Sequence, residues 1–136
     1  MSTTPALKNT LSANERLKSR KLLDSLFEEG KALVAAPFRL VFKEVEFDTI
    51  YPVKIAFSAP KRRMKLAHDR NRSKRSMREG YRKNKHALVD WCRKEQKSFA
   101  LLLIAQSNTP AVYSVTEEKI ILLLNRLILT HEKAAQ

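Results

Sequence analysis

The hydrophobic periodicities predict an α+β chain with its elements in the order αβββαβα. Period-two alternation runs through the stretch from Lys31 to Ser58, where Phe38, Leu40 and Phe42 alternate with Arg39, Val41 and Lys43. Apolar stripes spaced three and four residues apart lie on both sides of that stretch. A short, almost unbroken apolar run, from Phe99 to Ala105, stands between two of the helical stripes. Alternation suits a half-buried strand, a 3.6-residue stripe suits an amphipathic helix, and a brief all-apolar run suits a strand buried on both faces.

The elements follow in order. Residues 1–13, with Ser, Thr and Pro5, read as a flexible N-terminal arm. Residues 14–131 then form a single domain, and 132–136 a C-terminal tail. The first helix is expected from Asn14 to Glu29, with Leu22, Leu23, Leu26 and Phe27 as its apolar stripe and Gly30 as its stop. Strands follow over about Ala32–Ala35, beyond Pro37 to Phe47, and through Val53, Ile55 and Phe57, with Asp48 and Thr49 in a turn. One sheet face is apolar, and the other presents Arg39, Lys43, Lys54 and Ser58. Asp69 is placed to cap a long second helix running to about Arg93. Gly80 stands inside it, at a cost of roughly 1 kcal/mol relative to alanine. After the apolar strand, a turn spans Ser107 to Pro110. Ser114 and Glu117 have capping-box spacing, and Ile120, Leu123, Leu124, Leu127 and Ile128 stripe a last helix ending near His131.

Charge is concentrated in the second helix and the loop before it. The segment from Lys61 to Lys85 holds twelve Lys or Arg and two acids, Asp69 and Glu79, so it carries +10 of the chain's +13. Like charges packed this densely repel unless an anion compensates them. On a helical wheel Ser73, Met77, Tyr81, Asn84, Leu88 and Trp91 share one side, and Asn71, Arg75, Arg78 and Arg82 lie roughly opposite. Guanidinium forks bind phosphate bidentately and stack on bases, which lysine does not do. A solvated face is the ordinary fate of a charged helix. Here arginine dominates and no interleaved acid is expected to offset the charge at i+4, so the stripe points to nucleic acid.

Other classes lose ground. Hydrophobic residues make up 43% of the chain, too many for a disordered basic tail. The one cysteine, Cys92, has no disulfide partner, which fits a reducing cytoplasm, and it reads as a small apolar helix residue. No apolar run approaches membrane-spanning length, and no leucine-rich anchor face joins the basic stripe. His68, His86 and His131 are scattered, and Asp24, Asp48 and Asp90 fall in different elements. Neither zinc spacing nor a two-metal carboxylate set is visible. With only Gly30 and Gly80, a glycine-rich phosphate loop is excluded. No active site borne by the protein itself is expected.

The segment Asp69-Arg70-Asn71-Arg72-Ser73-Lys74-Arg75-Ser76-Met77-Arg78-Glu79-Gly80-Tyr81-Arg82 resembles the Arg-Asn-Arg helix of the bacterial ribonuclease P protein component. Arg70, Asn71, Arg72, Lys74, Arg75, Arg78, Gly80 and Tyr81 fit that pattern. Ser58-Ala-Pro-Lys-Arg-Arg63 is similar to the family's strand-to-loop transition, with Lys61 and Arg62 as its basic pair. Arg16-Leu17-Lys18 and Leu26-Phe27-Glu28-Glu29-Gly30 resemble its first helix.

The resemblance implies a two-layer α+β sandwich on a mixed four-stranded sheet, with a left-handed βαβ crossover through the signature helix. It implies a cytoplasmic accessory subunit of an endoribonuclease whose RNA, using Mg2+, removes the 5′ leader of precursor tRNA. The implied partners are ribonuclease P RNA and precursor tRNA, with neither membrane nor DNA. Arg70, Asn71, Arg72, Lys74, Arg75, Arg78 and Arg82 would bind the catalytic RNA. Lys61, Arg62, Arg63 and Lys65 would form a bridging loop. Phe27, Arg39, Lys43, Lys54 and Ser58 would line a cleft for the leader, with simple core packing as the other fate of Phe27. The alternative is a general structural or ribosome-associated RNA-binding protein with no role in tRNA processing. A basic-helix transcription factor is disfavoured, because no heptads are sustained.

Overall fold

The apolar run from Phe99 to Ala105 becomes a strand with a neighbour on each side. The computed structural model describes residues 11–46 and 51–134. Its strands are β1 (Lys31–Ala35), β2 (Phe38–Glu44), β3 (Val53–Ser58) and β4 (Phe99–Ala105), in spatial order β1-β2-β4-β3. β1 with β2 and β2 with β4 are antiparallel, whereas β3 runs parallel to β4, so the sheet is mixed. The helices are α1 (Arg20–Glu29), α2 (Ala67–Asn84), α3 (His86–Glu95) and α4 (Tyr113–Ala134).

Side-chain alternation divides the apolar residues between two faces. Phe38, Leu40 and Phe42 of β2, Ile55 of β3 and Leu101 and Leu103 of β4 turn to the main core. There they meet Met77 and Tyr81 of α2, Leu88 and Cys92 of α3, and Ile120, Leu123 and Leu127 of α4. Val41, Ala100 and Leu102 turn the other way, onto Leu26 of α1 and Leu17. β4 is therefore buried on both faces. Burial pushes the Cys92 thiol up to about 12, with the Glu44 charge adding to the effect, so the thiol stays protonated and inert.

The first helix begins at Arg20 rather than at the expected Asn14. Residues Ala13–Glu15 form one 3₁₀ turn, and α1 starts at Arg20, where the Ser19 hydroxyl accepts from the Leu22 N–H at 3.3 Å. Between them the backbone is extended. Arg16 bridges Ile55 in parallel register, and the Leu17 N–H donates to the Ile55 carbonyl at 3.0 Å. Hydrogen bonding to the β3 edge outcompetes helix here, and it covers an edge that would otherwise expose unpaired backbone groups.

The long basic helix is also divided. α2 begins after Leu66, so Asp69 sits in its first turn, near the positive end of the helix dipole, rather than at the cap. The helix is interrupted at Lys85, and α3 continues from His86. Lys85 is wholly buried, and its ammonium meets the buried Glu15 carboxylate at 2.5 Å. The other Glu15 oxygen accepts from the Ser12 N–H at 2.8 Å. Near the chain's end, Glu117 does not cap α4. It accepts instead from the Asn84 amide at 3.0 Å and the Tyr113 hydroxyl at 3.2 Å. α4 continues past His131, whose ring packs edge-on against Phe99 at 4.7 Å. Most of the N-terminal arm, the expected turn at Asp48 and Thr49 with Phe47 before it, and residues 135–136 lie outside the described residues.

Both glycines mark close approaches, and neither has positive φ. A Cβ at Gly30 would stand 2.7 Å from Val41 Cγ1 and 2.4 Å from the Leu26 carbonyl oxygen, so α1 lies tight on β2 only with glycine there. A Cβ at Gly80 would stand 2.8 Å from Ile120 Cδ1 and 3.6 Å from Glu117 Cα, where α2 crosses α4. The Ile120 contact is with a terminal methyl that can rotate. Gly80→Ala is therefore expected to fall within about 1 kcal/mol of the parent in urea unfolding, as helix propensity offsets crowding. Gly80→Leu should lose roughly 1–3 kcal/mol by overpacking. Equal stability of the leucine variant would show that the helices do not pack this closely.

The buried pair gives a second expectation. Glu15→Gln or Lys85→Met leaves one buried group without its counter-charge and should each cost about 3–5 kcal/mol. Replacing both with apolar residues should cost less than the sum of the singles. An additive double-mutant cycle in urea denaturation would contradict the pairing.

Candidate RNA-binding surfaces

Two cationic surfaces flank the loop that joins β3 to α2. The first is the outward side of α2. Asn71, Arg72 and Arg75 are exposed there, while Lys74, Arg78 and Arg82 are half-buried. Arg78 stacks its guanidinium 5.8 Å from the centre of the Phe57 ring. Arg82 pairs with Glu79 one turn back, and Lys83 lies 3.7 Å from the same carboxylate. The hydrogen bond from Arg82 holds the Glu79 carboxyl below its usual range. Such a surface pair contributes little stability, so it orients Arg82 without removing it from a competing phosphate.

Arg70 has a different position from its neighbours in the motif. Its guanidinium donates to the carbonyls of Met64 and Lys65, at 2.9 and 2.8 Å. It fastens the loop to the helix. Met64 is buried, and its N–H donates to the Pro60 carbonyl at 3.0 Å, so the loop is anchored at its centre. The predicted loop cations, Lys61, Arg62, Arg63 and Lys65, all remain exposed around that anchor.

The second surface is a cleft of about 480 Å³ between α1, the sheet and the loop. Phe27 forms one wall and is 67% exposed, so it is not a core residue. Leu26, Val41 and Ile104 supply apolar lining, with Ser58 and Gln106 as polar groups and Arg39, Arg62 and Arg63 as cations. An aromatic face beside uncompensated guanidinium groups can stack an unpaired base and hold its phosphates. Gln106, Ile104 and Pro60 were not visible as cleft residues from sequence. Ile104 is the one half-buried position in an apolar run that is otherwise buried, and only its row in the sheet places it at the cleft.

The residues predicted for the cleft divide into two groups. Ser58, Ile104 and Arg39 share one row across the sheet, and Phe27 faces that row. Lys54, Ala100 and Lys43 share another row, four residues away, or about 13 Å along the strands. Lys43 is committed there, donating to Ser25 Oγ at 2.5 Å and to Glu29 Oε2 at 2.7 Å. This hydrogen bond holds the Glu29 carboxyl below its usual range. Lys43 thus clamps α1 to β2, and neither it nor Lys54 lines the cleft. Among the described residues no three His, Cys, Asp or Glu side chains converge as candidate metal ligands. Among them, too, no helix is long and apolar enough to cross a membrane.

Known proteins resemble this chain in sequence and in fold. The Ribonuclease P protein component of Porphyromonas gingivalis is 40% identical over 86 residues, covering 63% of this chain and 63% of that protein. The corresponding protein of Chlorobium phaeobacteroides is 32% identical over 87 residues, covering 62% of this chain and 60% of the relative. The matched segment therefore spans less than two thirds of these relatives. The solved RNase P protein from Thermotoga maritima has a TM-score of 0.66 at 26% identity, over 82% of this chain and 96% of that one. The RNase P protein of Staphylococcus aureus shares the fold at TM-score 0.65 and 17% identity, over 83% of this chain and 94% of that one. The Ribonuclease P family match extends from residue 11 to residue 127, nearly the whole described chain, and the protein belongs to that family.

Proposed function

We propose that the chain is the protein subunit of a cytoplasmic ribonuclease P. It holds the catalytic RNA on α2 and the 5′ leader of precursor tRNA in the Phe27 cleft. The observation that carries this reading is the shared loop. Arg62 and Arg63 line the cleft, while Arg70, on the helix, is bonded to the same loop's backbone. Two RNA surfaces are thereby held at a fixed separation by one rigid connection.

The protein's contribution is binding and orientation. Arg72 and Arg75 neutralise phosphates of the catalytic RNA, with Asn71 as a neutral hydrogen-bonding partner. Phe27 stacks an unpaired leader base, and Arg39 offsets the phosphate charge beside it. The RNA carries the cleavage chemistry, with magnesium held by RNA phosphates.

Reconstitution tests this directly. At low magnesium, the protein should strongly stimulate cleavage of precursor tRNA by a bacterial ribonuclease P RNA and should cleave nothing alone. Tight RNA binding without stimulation would instead indicate a general RNA-binding protein, and cleavage by the protein alone would reveal an active site of its own. The two surfaces should also separate. Arg72→Ala with Arg75→Ala should lower the salt slope of binding to the catalytic RNA by about 1.4–1.8, or 0.7–0.9 per phosphate. Phe27→Ala should leave that slope unchanged and weaken holoenzyme affinity for leader-bearing substrate, by roughly 1–3 kcal/mol if a stacked base is lost. Equal effects of Phe27→Ala on substrates with and without a leader would refute the cleft assignment.

A further inference from the structure

Extended backbone at Arg16–Lys18 determines where two more cations lie. Leu17 is buried beneath α1, so Arg16 and Lys18, its neighbours on either side, both project outward. With Phe57 and Arg78 they line a groove of about 190 Å³ at the outer edge of β3. Among the described residues no carboxylate pairs with Arg16, Lys18 or Arg78. Glu15, the adjacent acid, is turned inward to Lys85. The backbone of Arg16 and the side chain of Arg78 are held in place. Arg16 is bridged to Ile55, and Arg78 rests against the Phe57 ring. Preorganised cations lose little freedom when an anion arrives, which favours their use in binding.

We propose that this groove is a phosphate-binding track for the catalytic RNA, continuous with the arginine face of α2. The proposal rests on the reading of the chain as a ribonuclease P subunit. Arg78 belongs to both surfaces. It shares the helix face of Asn71, Arg75 and Arg82, and it forms one wall of the groove. An RNA backbone following that face passes from Arg75 over Arg78 to Arg16 and Lys18. The ligand is the phosphodiester backbone, read by charge without base specificity. Precursor tRNA offers the same chemistry, but the Phe27 cleft lies on the α1 face of the sheet, opposite the face on which α2 packs.

The test compares the full-length protein with its Arg16→Ala/Lys18→Ala variant, both confirmed folded by circular dichroism. Binding to a ribonuclease P RNA is titrated from 50 to 200 mM salt. The variant's salt slope should fall by about 1.4–1.8, so that the parent loses roughly tenfold more affinity than the variant across that range. Arg16→Lys/Lys18→Arg should restore the parent slope. Lys31→Ala/Lys94→Ala removes the same net charge from exposed positions elsewhere and should leave the slope unchanged. An unchanged slope in the Arg16/Lys18 variant, or an equal fall in the Lys31/Lys94 control, overturns the proposal. So does an unchanged slope with a raised substrate KM at saturating protein, which would assign the track to precursor tRNA. If the parent itself shows no preference for ribonuclease P RNA and no stimulation of cleavage, the broader function fails rather than the track.

Discussion

The buried pair of Glu15 and Lys85 joins parts of the chain that local sequence does not connect. Its members lie 70 residues apart, one before the first helix and one at the junction of α2 and α3. Taking both charges out of water costs several kcal/mol per ion, and their attraction recovers that cost only with good geometry and further hydrogen bonds. The Ser12 N–H supplies one such bond. The net gain in stability is therefore small, and the pair acts mainly through position. With it in place, Arg16 and Leu17 lie along the β3 edge, and the long helix is interrupted at a defined residue. Tyr81 is buried beside the pair, and its phenol is pushed upward first by burial and then by the Glu15 charge, so it remains neutral.

The same economy extends to the other cations. Twelve basic residues within 25 positions would repel strongly if all faced solvent together. The fold disperses them. Lys85 goes into the core, Arg70 onto loop carbonyls, and Arg82 beside Glu79. Arg62 and Arg63 face the cleft, whereas Arg72 and Arg75 remain on the helix exterior. From Arg72 to Arg82 the helix rises about 15 Å, nearly two Debye lengths at physiological salt. The ends of the row are thus screened from each other, while neighbours one turn apart, such as Arg75 and Arg78, repel until a phosphate compensates them. A positively charged surface of this kind is tolerable without ligand and strongly salt-dependent with it.

What sequence reveals here is whatever repeats locally. The alternation of Phe38, Leu40 and Phe42, the all-apolar Phe99–Ala105 and the wheel of α2 each placed their side chains on the faces where the structure has them. Position along the strands was not legible. Arg39 and Lys43 look equivalent in an alternating pattern, yet they lie four residues apart, and Arg39 lines the cleft while Lys43 is bonded to Ser25 and Glu29. The helix break at Lys85 was hidden for a related reason, because the stripe through Met77, Tyr81, Leu88 and Cys92 stays in phase across it. The late start of α1 depends on hydrogen bonds to β3, which no window of the N-terminal sequence contains. Gly80 had no evident purpose until Ile120 was seen against it.

The cleft forms where α1 leaves one end of the strands uncovered. The helix crosses the sheet from the β3 edge, where Leu17 bonds Ile55, to β1, which follows Gly30. The uncovered end is the row of Ser58, Ile104 and Arg39. Gly30 ends the helix there and lets it descend onto Val41, which keeps Phe27 at the lip rather than over the floor. Burying a phenylalanine fully is worth about 1.5–3 kcal/mol, and the free protein forgoes much of that at 67% exposure. Stacking a base on an aromatic ring is worth roughly 1–3 kcal/mol, a gain of the same size. The exposed ring thus represents unrealised burial energy that an unpaired nucleotide can recover, while a paired, stacked duplex cannot. Under the proposed function, that difference would favour single-stranded RNA at this site.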